Sequence, residues 1–173
     1  MRFDMNIRRA VPEDSKGVAK VQVDSWKTTY KNIVPDEYLN KMTYESREQK
    51  WKDIISDQTI FIAETDDGEI IGFSNGGKER TGKYPNYNGE LYAIYILEAH
   101  QRKGLGKLLL EPIIEDLKQN NIFSMIVLVL EENNSRLFYE SLGAEKIDIV
   151  EIEVLGKKLN ELVYGWQDIR AII

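Results

Sequence analysis

Apolar and polar positions alternate from Met5 to Ala10, which predicts a short opening strand. Pro12 then suits a first helical turn, and Glu13 and Asp14 suit a helix N-terminus electrically. Val18, Val21, Ser25 and Trp26 follow at helical spacing. Pro35 interrupts, and a second helix is predicted from Asp36 through Ile55. Thr59 to Glu64 switches to an apolar, β-branched strand pattern, Asp66-Asp67-Gly68 reads as a hairpin turn, and Glu69 to Asn75 returns. Between Gly76 and Gly89 no apolar period survives, so this stretch is predicted to be a mobile functional loop. Glu90 to Leu97 is a strand rich in Tyr and Ile. A glycine turn at Gly104 to Gly106 leads into Leu105, Leu108, Leu109, Ile113 and Leu117 at helical spacing. Phe123 to Leu130 is continuously apolar, as in a strand covered on both faces. Asn133 to Leu142 predicts a helix stopped by Gly143, and Glu145 to Val154 with Lys157 to Trp166 predict a closing hairpin around Gly156. The order β-α-α-β-β-β-α-β-α-β-β is that of a mixed α/β (α+β) fold.

Composition narrows the chemistry. A chain of 173 residues fits a single domain, expected over 1–173, and can bury enough surface to fold without staples. With no cysteine, a thiol nucleophile, a thiolate zinc site and a disulfide framework are excluded. His100 is the only histidine, so a two-histidine metal site cannot form within the chain, and no metal is expected. The net charge of −6 argues against a broad nucleic-acid surface. The opening Met1-Arg2-Phe3-Asp4-Met5-Asn6 lacks a signal-peptide pattern, and no apolar run reaches the roughly 20 residues that span a bilayer. The expectation is a cytoplasmic protein with no membrane partner.

The segment Gln101-Arg102-Lys103-Gly104-Leu105-Gly106-Lys107 sits between a strand and an amphipathic helix. Free N–H groups and the helix dipole favour an anion at such a start, and Arg102, Lys103 and Lys107 add positive charge to a negative chain. A Walker loop would need Ser or Thr after Lys107, where Leu108 stands. A dinucleotide fingerprint would need glycine where Leu109 stands. The turn alone leaves two readings: a tight bend, or an anion site.

The turn matches every specified position of the Gln/Arg-x-x-Gly-x-Gly/Ala signature, and it follows the strand Leu91 to Leu97. Downstream, Asn133-Asn134-Ser135-Arg136-Leu137-Phe138-Tyr139-Glu140-Ser141-Leu142-Gly143 supplies a second match. With both motifs and the element order, the whole chain resembles the Gcn5-related N-acetyltransferases. The resemblance implies a single GNAT-like domain with a twisted mixed sheet, splayed at the central strand and flanked by helices. It implies acetyl-CoA as co-substrate, its pyrophosphate on Arg102, Lys103, Gly104, Leu105, Gly106 and Lys107, with Gln101 also among the cofactor-binding residues. The pantetheine arm would run along Ile94, Tyr95 and Ile96, with Asn133 as a further contact or a helix cap. Pro112 inside the following helix is a departure, and a bent or locally broken helix is expected there.

Acetyl transfer to an amine needs a neutral nucleophile, and presenting a lysine-like amine neutral at pH 7 costs about 4–5 kcal/mol. It also needs a proton donor for the departing thiolate. With no cysteine to form an acetyl-enzyme, direct attack in a ternary complex is expected. The resemblance assigns the acid to Tyr139, tuned by Arg136 and Ser135 on the same helix face. Glu90 is the candidate general base, directly or through water, with a solvated strand-end acid as the alternative. His100 reads as a loop residue. Trp26, Tyr30, Tyr38, Tyr44 and Trp51, with Glu45, Glu48, Asp53 and Asp57, either form a face for a cationic acceptor amine or belong to core and solvent. A homodimer is compatible with the sequence. The competing readings are a silent acyl-CoA sensor on the same fold and, more distantly, a P-loop phosphotransferase.

Overall fold

The computed structural model describes residues 5–172; the extreme ends of the expected 1–173 domain lie outside it. Its strands are β1 (Met5–Arg9), β2 (Ile60–Thr65), β3 (Ile70–Lys78), β4 (Gly89–Ile96), β5 (Met125–Leu130), β6 (Glu145–Val154) and β7 (Lys157–Trp166). The helices are α1 (Ser15–Thr29), α2 (Asp36–Asn40), α3 (Tyr44–Asp57), α4 (Leu105–Gln119) and α5 (Ser135–Ser141). The strands form one 7-stranded sheet in the order β1-β2-β3-β4-β5-β7-β6. Among the described strands β4 and β5 pair in parallel and the other neighbours antiparallel. The two predicted motifs and the closing hairpin lie where the pattern put them.

Two irregularities in β4 build the site. The β3–β4 register passes from Asn75↔Ala93 to Gly76↔Leu91, which leaves Tyr92 as an extra residue, a β-bulge. The bulge also exchanges faces. Leu91 packs with α4, whereas Ala93 and Tyr95 pack with α1 and α3. On its other side, β4 pairs with β5 only from Gly89↔Met125 to Leu91↔Val127. Beyond Leu91 the strands separate into a wedge, and the β5-facing edge of Tyr92 to Ile96 has no strand partner. The splay expected beside the central strand is present.

Helices cover both faces. Val18, Val21, Trp51, Ile55, Ile62 and Phe73 form a core under α1 and α3. Leu110, Ile113, Ile114 and Leu117 of α4 pack with Tyr139 of α5 and with Val127, Val129, Tyr164 and Trp166 on the opposite face. Within the described residues no helix is long and apolar enough to cross a membrane.

Three expectations are corrected. The helix predicted from Asp36 through Ile55 is two helices, because Thr43 starts a new one. Its backbone is extended, its Oγ1 accepts the Ser46 N–H at 3.1 Å, and its own N–H donates to Ser46 Oγ at 3.2 Å. The loop expected from Gly76 to Gly89 is shorter, since β3 continues through Lys78. Nor does the remainder hang free: Tyr84 donates to Asp148 Oδ2 at 2.7 Å, and Tyr87 packs on the backbone of Gly165. Finally, α4 runs unbroken through Pro112. Pro112 withdraws a donor from the Leu108 carbonyl, and at the next carbonyl, Leu109, the buried Ser74 hydroxyl donates at 2.8 Å.

Candidate active site

The turn before α4 is shaped for an anion. Arg102 and Gly104 both adopt left-handed backbone, φ 63° and 82°, and Gly104 is the N-cap of α4. Among the described residues no well-formed backbone hydrogen bond engages the N–H groups of residues 102–107. A row of unpartnered N–H groups at a helix start is a strong anion cradle. Arg102, Lys103 and Lys107 are exposed around it. Gln101 acts differently: its amide donates to the Ile96 carbonyl at 3.0 Å, tying the turn to the end of β4. Leu105 is buried beneath the turn and anchors it. Gly106 is needed for close packing, since a Cβ there would stand 3.2 Å from the Phe138 ring of α5.

Within the wedge, Ile94 and Ile96 face the α4 side and Tyr95 the α1 side. Their backbone pairs with Ser74, Gly72 and Phe73 of β3 and leaves the opposite edge open. That edge suits an extended arm carrying amides, and the cradle lies at its far end. The residues present therefore fit a coenzyme A: pyrophosphate at 102–107, pantetheine beside Ile94 to Ile96.

Hydroxyl groups converge on the wedge from both faces of the sheet. Tyr30, after α1, has its hydroxyl 3.3 Å from that of Tyr95, and Asn133 donates to it at 3.3 Å. The N-cap of α5 is Asn134, and Asn133, one residue earlier, accepts the Ser135 N–H on its Oδ1 at 2.9 Å while its amide reaches Tyr30. Tyr139, buried in α5, stands edge-on to Trp166 with ring centroids 6.0 Å apart. Burial, reinforced by the nearby Tyr30, pushes its phenol well above the ordinary tyrosine range. The Tyr95 phenol is raised for the same reason, and Tyr30 and Tyr139 both lie within its electrostatic reach. Such groups stay protonated at neutral pH and can serve as proton donors. Neither expected tuner touches Tyr139: Ser135 is exposed, and Arg136 pairs with Glu140 at 3.9 Å.

Glu90 is only 1% exposed, which rules out the solvated strand-end alternative. Its Oε1 accepts the Arg80 backbone N–H at 3.1 Å, and its Oε2 takes Arg80 Nη2 at 2.6 Å and Nε at 3.2 Å. The Arg80 guanidinium also lies 4.2 Å from the centre of the Tyr92 ring. This carboxylate pins the 79–88 loop to β4. His100 sits in a single helical turn before the cradle, with no partner for its buried Nδ1.

The proposed acceptor residues divide. Trp26 gathers Tyr30, Tyr38 and Tyr95 within 4.4, 6.1 and 6.2 Å between ring centroids. Trp51 instead belongs to the core against Phe73, and Tyr44 is exposed on Asp24. Glu45, Glu48, Asp53 and Asp57 form the solvated face of α3. Sequence reasoning missed Glu161, a half-buried acid of β7. Burial, then the charge of Glu90, raises its carboxyl against the pull of Arg80. Among the described residues no group of His, Cys, Asp and Glu is arranged to hold a metal.

Known proteins resemble this chain in sequence and in fold. Residues 24–144 match the acetyltransferase (GNAT) family. The chain is 42% identical over 168 residues to an uncharacterized N-acetyltransferase, YuaI, of Bacillus subtilis, covering 97% of this chain and 96% of that one. It is 26% identical over 138 residues to a spermidine N(1)-acetyltransferase of Thermoplasma acidophilum, covering 76% and 82% respectively. The crystal structure of the PaiA N-acetyltransferase from Thermoplasma acidophilum, a complex with coenzyme A, has a similar fold, with TM-score 0.74 and 23% identity. That match covers 93% of this chain and 97% of the other.

Proposed function

The chain belongs to the GNAT family of acetyltransferases, and from that premise we propose that it moves acetyl from acetyl-CoA to a primary amine of a small molecule or peptide. Attack is direct, within a ternary complex in the cytoplasm. The single observation that carries this reading is the unpartnered N–H row at 102–107 placed at one end of an open strand edge, with a protonated phenol inside the wedge. Acetyl-CoA supplies an activated acyl group whose leaving group is a thiolate. The N–H groups and Lys107 hold its diphosphate, and the open edge of Ile94 to Ile96 aligns its amides.

Tyr139 is proposed as the proton donor to the departing sulfur. Its hydroxyl has no hydrogen-bond partner among the described residues, so its proton is uncommitted. The acceptor enters from the α1–α2 side, where Trp26, Tyr30 and Tyr38 offer ring faces to a cation. A cationic amine is favoured by these rings, by Glu161 and by the acidic Glu131 and Glu132 at the nearby end of β5. The spermidine-acetylating relative is consistent with that class.

Tyr139→Phe tests the assignment. Removing a proton donor costs about 10²–10⁴-fold in rate. The expected result is a kcat at least about 100-fold lower with coenzyme A affinity nearly unchanged. A variant that turns over like the wild type discards the role. Thiol release with no amine in a panel of polyamines, aminoglycosides, amino acids and peptides, despite tight coenzyme A binding, would favour an acyl-CoA sensor instead.

A further inference from the structure

The amine that attacks must first lose a proton, and Glu90 is badly placed to take it. Both of its oxygens are occupied by Arg80, and it is sealed from solvent. With both oxygens engaged and the group sealed beneath the loop, an acceptor amine has no route to it.

Glu161 has the opposite surroundings. Strand alternation puts it on the same face of β7 as Leu159, which packs with Tyr30, Val34, Leu39 and Leu130 on the acceptor side. The register sets Glu161 opposite Leu130, the last residue of β5, beyond the point where β5 leaves β4. Glu161 therefore stands at the mouth of the wedge, on the wall opposite Tyr95. A surface hollow next to Glu161 in the chain, though not lined by it, is bounded by Ile33, Leu130, Leu159, Asn160 and the charged Glu131, Glu132 and Lys158. Among the described residues its carboxylate has neither a hydrogen-bond donor nor an ion pair. Its charge is felt by Tyr30 and by Tyr84, which places it between α1 and the 79–88 loop.

We propose that Glu161, not Glu90, holds the acceptor ammonium at the wedge mouth and takes its proton. The inference rests on the N-acetyltransferase reading. In the step, the ammonium N–H bond breaks and the proton passes to a Glu161 oxygen. The freed nitrogen lone pair forms the C–N bond to the thioester carbonyl carbon, and the C–S bond then breaks with its electrons on sulfur. The nitrogen's second surplus proton passes by way of solvent to the Tyr139 phenolate left when Tyr139 protonates sulfur, and Glu161 returns its own to solvent. One proton leaves overall for each amide formed. Glu90 keeps a positioning role, holding Arg80 and with its negative charge raising the carboxyl of Glu161. The charged and titratable groups that bear on Glu161 are Glu90, Arg80, Tyr84 and Tyr30. Burial and the charge of Glu90 bring its proton affinity closer to that needed near neutral pH.

The test compares wild type, Glu161→Gln and Glu161→Asp in a thiol-release assay from pH 5 to 9. Acetyl-CoA is the donor, and the acceptors are spermidine, 1,4-diaminobutane, an aminoglycoside and an alanine-terminated peptide. With any amine that the wild type accepts, Glu161→Gln should lose about 100-fold or more in kcat/KM. It should also lose the acid limb of the pH profile, while coenzyme A binding by calorimetry and the melting temperature stay at wild-type values. Glu161→Asp should regain part of the rate and show the limb at lower pH. A Glu161→Gln enzyme with more than half the wild-type kcat/KM, or with its acid limb unmoved, overturns the proposal. Thiol release from the wild type with none of the amines removes the acetyltransferase reading, and this assignment with it.

Discussion

Arg80→Met isolates the contact that fastens the 79–88 loop to the central strand. The substitution keeps the backbone N–H on Glu90 Oε1 and deletes both guanidinium contacts to Oε2, as well as the stacking on Tyr92. Breaking a fully buried pair costs about 3–5 kcal/mol because a charge is left behind. Here Glu90 is 1% exposed but the Arg80 side chain is 55% exposed, so water can replace part of what is lost. A cost of about 2–3 kcal/mol follows, including less than about 1 for the exposed cation–π contact. In a domain of this size that is a fall in melting temperature of about 5–10 °C. Urea unfolding followed by circular dichroism measures it, with Glu90→Gln and the double variant completing a cycle. The double variant should be more stable than the sum of the single losses predicts, because no buried charge remains. An Arg80→Met protein within about 0.5 kcal/mol of wild type would show that the pair does not hold the loop, and the reasoning would fail.

Gly104→Ala forces a Cβ into φ 82°, at roughly 1–2 kcal/mol, while Gly104→Asn is better tolerated there. Calorimetry should find weaker coenzyme A binding for Ala than for Asn, and equal binding of both with wild type would deny the cradle its role. A second network governs acid stability. Arg8 donates to Asp14 at 2.8 and 2.9 Å and to Glu64 at 2.9 Å. For Asp14, burial pushes upward, but the Arg8 bond and the Val11 N–H outweigh it and hold the carboxyl low. Glu64 is likewise lowered, chiefly by Arg8. Folded values below unfolded ones add stability above the ordinary carboxylate range, which is lost as pH falls through the folded values. The gap in urea midpoint between wild type and Arg8→Met should therefore be widest near pH 7 and shrink toward pH 3. A gap independent of pH would refute the linkage.

What could be read in the chain was what local chemistry encodes. The cradle and the Asn133–Gly143 segment that carries α5 are contiguous, so their residue types announced them. The strand ends were harder. Gly76 looks like loop, yet it lies in β3, because a Cβ there would meet Ile113 at 2.8 Å and the Glu90 carbonyl at 3.0 Å. Thr43 and Ser46 carried a legible cap signal inside what read as one long helix. The acids of α3 looked suitable for a cation because composition cannot reveal which face a helix turns outward. Glu161 could not be found at all from local pattern. Its place depends on the β5–β7 register and on the parting of β4 from β5, both set by residues far apart in sequence.

The two motifs, so far apart along the chain, are a single packed unit in space. The glycine-to-ring contact brings the first turn of α4 against Phe138, whose ring lies 5.5 Å from that of Tyr139. Tyr139 is braced in turn against Trp166 of β7. The distance from the phosphate cradle to the proposed proton donor is therefore set by close-packed side chains, which deform little. On the proposed reading, a coenzyme held at its diphosphate end would meet Tyr139 at a fixed reach along the open edge of β4. Pro112 leaves this span intact because it lies two turns farther along α4, where Ser74 fastens the helix to β3. The same logic explains why the acceptor side is built from separate elements. Tyr30, Glu161 and the 79–88 loop, the proposed acceptor side, arrive from three parts of the chain, so changes there leave the packing of α4 on Phe138 untouched.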